Sequence, residues 1–177
     1  MLKRVKKFKS LKYLATSVVY IFMYTFLLAL HSLIRWFVLA SLLLGVYRGW
    51  RGRKGKQYFT LFDNRVRIVA AMFAHIQLVL GIALYCISPI VRYFWQHTGD
   101  ALQIRGIRFF GIEHITMMLV AIVFITIGSI KAKRQTTDEA KFKAMAIWFT
   151  IALVVILTSV PWSFSPLTSR PNFRPFF

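Results

Sequence analysis

Apolar residues gather along this chain in four long blocks, roughly residues 24–47, 68–91, 109–130 and 145–163, separated by short polar intervals. Each block approaches or exceeds the ~20 residues a helix needs to cross a hydrocarbon core about 30 Å thick. Charged residues fall mostly between the blocks, and no alternating strand pattern competes with them. The pattern predicts an all-α integral membrane protein, a four-helix transmembrane bundle over residues 23–163. A basic leader over 1–22 precedes it, and an irregular tail rich in Pro and Phe follows over 164–177.

Composition agrees. With 58% hydrophobic residues and a mean hydropathy of +0.60, a 177-residue soluble domain could not hide its apolar surface. The chain has no Walker motif, Gly-rich dinucleotide loop or zinc-finger spacing. The net charge is +19, from 24 Lys and Arg against 5 Asp and Glu. On a soluble protein that excess would point to nucleic acid. Here the cations cluster just outside the apolar blocks, so the expected partner is membrane lipid and not nucleic acid. The single cysteine, Cys86, excludes an internal disulfide and reads as a buried packing residue.

The basic intervals 48–67 and 131–143 belong in the cytoplasm by the positive-inside rule, and the less basic interval 92–108 outside. The tail then lies outside, where it could rest along the interface. The leader MLKRVKKFKSLKY conflicts with this scheme, because it is strongly basic yet precedes an uninterrupted apolar run from Leu14 to Tyr47. As one helix that run would measure about 50 Å, longer than the bilayer core. A natural start at Met23 would remove the conflict.

Three histidines, His31, His75 and His114, lie inside the predicted spans. An ionisable group in hydrocarbon is a functional-site candidate, and imidazole is well suited to a metal or a haem iron. Helix rise places His31 about 25 Å from Arg48 and His114 about 25 Å from Lys131, so the two are level. His75 lies only about 12 Å from Arg67, nearer the cytoplasmic side. A bis-imidazole iron needs two ligands at similar depth on different helices, which favours His31 with His114 and leaves His75 with His114 as second choice. Arg35 shares a helix face with His31, and Glu113 precedes His114. A cation that deep needs a partner, so Arg35 and Glu113 are expected to touch or to share a propionate. Asp63–Asn64 reads as a start for the second helix. Gln77 suits a bond between helices, and Gly45, Gly81 and Gly128 suit close helix approach.

The segments HSLIRW, FAHIQLVLG, GIEHITMMLVAI with its TIGSIKAK end, and LTSVPW resemble a group of small four-span bacterial membrane proteins labelled cytochrome-b-like. The resemblance runs from Met23 onward. It implies a haem-b electron carrier of the bacterial cytoplasmic (inner) membrane, with His31, His75 and His114 at the positions of the family's histidines. The expectation is haem-b-dependent electron transfer with quinol or a respiratory partner. The rivals are a transition-metal site built from His31, His114 and Glu113, and a cofactor-free structural or assembly subunit.

Overall fold

The computed structural model describes residues 2–165, 168, 170–174 and 176, with side chains from Thr16 onward. The described residues are helical throughout their ordered elements and contain no strand. Four helices are long and apolar enough to cross a membrane, over Thr16–Lys54, Leu61–Ile87, Arg105–Arg134 and Asp138–Ser159. Helix α1 (Leu2–Lys54) packs against α2 (Leu61–Ile87) and α7 (Asp138–Ser159), and α6 (His114–Arg134) packs against the same two. The four helices thus close a ring, each touching two neighbours. Three short helices, α3 (Pro89–Gln96), α4 (Thr98–Ala101) and α5 (Arg105–Arg108), link α2 to α6. Leu42, Ile125, Met145, Phe149 and Ala152 fill the centre with almost no exposure. Large apolar side chains such as Phe37, Leu43, Val79, Val123 and Val154 face outward, as a lipid-facing surface requires.

Helix ends follow local chemistry, with two departures from the sequence expectation. The start of α2 is capped by Thr60, not by Asp63–Asn64. Asp63 sits at the third helical position, and its carboxylate accepts from the Thr60 backbone N–H in a reciprocal capping box. At the other end of α2, Ser88 caps the Pro89 start of α3. The expected interval from Arg48 is instead the last turns of α1, which continues to Lys54 through Gly49 and Gly52. Each glycine costs about 1 kcal/mol relative to Ala in a helix. A Cβ on Gly49 would stand 2.7 Å from the Ala146 backbone nitrogen, so the cost is offset by close docking of α7. A Cβ on Gly45 would meet the Phe149 ring at 2.7 Å, and one on Gly128 would meet Trp148, confirming the close approach expected at both.

The leader and the first span form one helix, with no break at Met23. The Tyr20 hydroxyl donates to the Ile87 carbonyl at the end of α2. Cys86 is exposed on the outer surface of α2 rather than buried, because the inward face there is taken by Leu84 and Tyr85.

Candidate functional site

His31 on α1 and His114 on α6 face one cavity of about 310 Å³ at the end of the bundle nearest the tail. That volume is at the lower limit of small-molecule sites, and the walls are mainly apolar side chains such as Val38, Leu78, Met118 and Ile125. Gly81 on α2 stands opposite His31, and a Cβ there would lie 3.4 Å from its Cε1. The two imidazoles that the helix-rise estimate placed level thus line the same cavity.

Local structure aims each of them differently. His114 follows a π-helical turn, Phe109–Glu113, a deviation common at functional sites. The turn is held by the buried Phe109, by the Tyr85 hydroxyl donating to the Gly111 carbonyl at 2.8 Å, and by Phe94 packed on Gly111. His114 Nδ1–H donates to the Ser159 carbonyl at 3.1 Å, which leaves the Nε2 lone pair available. His31 Nδ1 is buried with no hydrogen-bond partner. Arg35 Nε, Trp36 Nε1 and Gln77 Oε1 share that condition, although Gln77 Nε2 donates to the His31 carbonyl at 2.9 Å, the interhelical bond expected of it. Buried polar groups are nearly always satisfied, so three such residues, His31, Arg35 and Gln77, lining one cavity are unusual.

His75 is outside this arrangement. It is exposed on the outer face of α2, where its Nδ1–H donates to the Ala71 carbonyl at 2.7 Å and its Nε2 lies 3.3 Å from Thr126 Oγ1. The second-choice pairing of His75 with His114 is not assembled, because successive turns of α2 turn Gln77 and Gly81 inward and His75 outward.

The expected Arg35–Glu113 contact is also absent. The Arg108 guanidinium holds Glu113 at 2.6 Å, one turn away in the same segment. Arg35 instead donates to the Asn172 carbonyl at 2.5 Å and lies over the Trp36 and Trp162 rings. With Glu113 engaged, the metal set of His31, His114 and Glu113 does not form. Among the described residues, no three His, Cys, Asp or Glu side chains converge on a metal position.

The tail supplies what sequence reasoning missed. Its described residues fold over the cavity. Asn172 bonds Ser163 from both ends of its amide, and Phe173 stacks on Trp36 at 5.1 Å between centroids. Arg170 and Arg174 then join Arg35 in the cavity wall, with no Asp or Glu among the lining residues. Two arginines in a tail without helical pattern gave no sequence signal of depth.

The donor set suits a haem. Two histidines on different helices have a ring nitrogen free of protein partners, the walls are apolar, and three guanidiniums suit propionates. No protein-family model, curated protein or solved structure matches the chain.

Proposed function

We propose that the protein binds haem b between His31 and His114 and carries electrons within a bacterial cytoplasmic membrane, exchanging them with quinol or a respiratory partner. The observation that carries this reading is the pair of imidazoles facing one apolar cavity, one fixed through Nδ1 by Ser159 and the other unpartnered at Nδ1. Haem b, when bound, supplies a one-electron iron couple.

The chain's own residues supply the rest. The Ser159 carbonyl fixes the ring orientation and tautomer of His114 and raises its basicity. Gln77 holds the helix turn that carries His31. The apolar walls lower the local dielectric and exclude water, both of which tune a redox potential. Arg35 brings positive charge to the side of the cavity covered by the tail. The positive-inside rule supports a cytoplasmic side for the basic intervals 48–67 and 131–143, an orientation that would turn the tail-end cavity toward the outer leaflet.

The test is an absorption spectrum of the full chain purified from haem-replete cells, oxidised and reduced. The expected result is a Soret band with sharp reduced α and β bands. His31→Ala and His114→Ala should each abolish the low-spin spectrum, while His75→Ala leaves it in place. A folded, colourless protein would overturn the haem reading.

A further inference from the structure

Among the described residues, the tail-end cavity gathers cations with no acidic side chain to answer them. Arg35, Arg170 and Arg174 line it, from α1 and from two positions of the tail. The whole sequence has only five acidic residues. Asp63 is bound to Arg48, Glu113 to Arg108 and Asp138 to Lys141, and neither Asp100 nor Glu139 lines the cavity. Cations gathered beside an apolar wall without a counter-charge repel one another and are poorly solvated. Burial and the neighbouring Arg170 both hold the Arg174 guanidinium below its ordinary value, as expected of a cation lacking an anionic partner.

Geometry adds a second, independent sign. Arg35 Nε is buried with no partner, although the Arg35 side chain is positioned by Asn172 and two indole rings. Arg170 lies over the Phe110 ring at 5.1 Å, a cation–π contact that places it beside the π turn carrying His114. The tail is latched through Asn172: its amide bonds Ser163, and its carbonyl accepts from Arg35 and Ser32. The tail guanidiniums make no hydrogen bond in that latch.

We propose that Arg170 and Arg174 of the tail, with Arg35, form a carboxylate-recognition site at the mouth of the cavity, selecting an apolar-bodied ligand that carries carboxylate groups. The ligand body lies among the apolar walls and its carboxylates meet the guanidiniums, whose forked donors match carboxylate geometry. The assignment rests on the haem reading only for the identity of the ligand, since haem is one such carboxylate-bearing body. The two arginines are specificity-determining residues rather than iron ligands.

The experiment uses the full chain in zwitterionic nanodiscs and three probes: haem, haem dimethyl ester and metal-free protoporphyrin. Wild type should bind haem roughly ten- to hundredfold more tightly than its dimethyl ester, which keeps the iron and loses the carboxylates, the range expected for charge-assisted hydrogen bonds. Arg170→Gln with Arg174→Gln should remove most of that preference while leaving the saturated low-spin haem spectrum unchanged. Elution volume and helical circular dichroism verify that the variant is folded, and single Arg→Lys changes should retain part of the preference. Arginine-dependent binding of metal-free protoporphyrin without a low-spin haem spectrum would support the carboxylate site and overturn the haem reading. A low-spin haem spectrum with equal affinity for acid and ester would do the reverse. No binding of any probe overturns both. Competition by anionic phospholipid that removes probe binding would assign the arginines to lipid headgroups and overturn the carboxylate site.

Discussion

The two ends of the bundle both bury cations, and they treat them in opposite ways. At the basic end, Arg48 meets Asp63 at 2.6 Å, and the same carboxylate accepts from the Thr60 hydroxyl and backbone. Arg67, only 6% exposed, donates to Asn64 Oδ1 and to both the hydroxyl and the carbonyl of Ser129. The basic-end charges are answered from within the chain. At the tail end, His31 Nδ1, Arg35 Nε and Gln77 Oε1 go unanswered, and three arginines share a cavity without a carboxylate. A satisfied polar cluster holds helices together, whereas an unsatisfied one around a cavity is arranged for something outside the chain.

The comparison can be broken most forcefully at Asp63. Asp63→Ala removes the Arg48 partner and the capping box together, and the carboxylate it deletes is fully buried. The expected loss is about 3 kcal/mol, the lower part of the range for breaking a buried pair because Arg48 keeps some solvent contact. Denaturant titration in detergent micelles measures it, and a loss below about 1 kcal/mol would deny this end its structural role. Gly49→Val comes next. The added side chain drives into the Ala146 backbone, so a destabilisation of about 1–3 kcal/mol is expected from the same titration.

Smaller effects sharpen the contrast. Arg35→Met removes the donor to the Asn172 carbonyl, so the tail should become more accessible to limited proteolysis while the helices keep their circular dichroism. An unchanged cleavage rate would mean that the latch does not depend on Arg35. Glu113→Gln should cost no more than about 1 kcal/mol, because its pair with Arg108 is 36–40% exposed. Its effect should add to that of Arg35→Met without coupling, since the two do not touch. A coupling above about 0.5 kcal/mol in that double-mutant cycle would restore the contact read from the sequence.

The four spans were legible because hydrocarbon imposes a strict length and composition on any segment that crosses it. That His31 and His114 reach the same cavity was legible for a related reason: helix rise converts residue number into depth. Facing was less legible. His75, two residues from the inward Gln77, points outward only because of how α2 turns against α1 and α6. The helical course through Gly49 and Gly52 was hidden too, since glycine and arginine together read as a loop until Ala146 and Phe142 of α7 are packed against them.

By itself, then, the sequence determined the number of spans, the basic end and the level of two imidazoles, all of which depend on quantities that add along a helix. Only the tertiary structure decided which partners Arg35 and Glu113 take, that a π turn carries His114, and that the tail brings Arg170 and Arg174 over the cavity. Those outcomes depend on contacts between segments distant in the chain. Arg35 meets Asn172 across 137 positions, and no local propensity or periodicity encodes a bond of that reach.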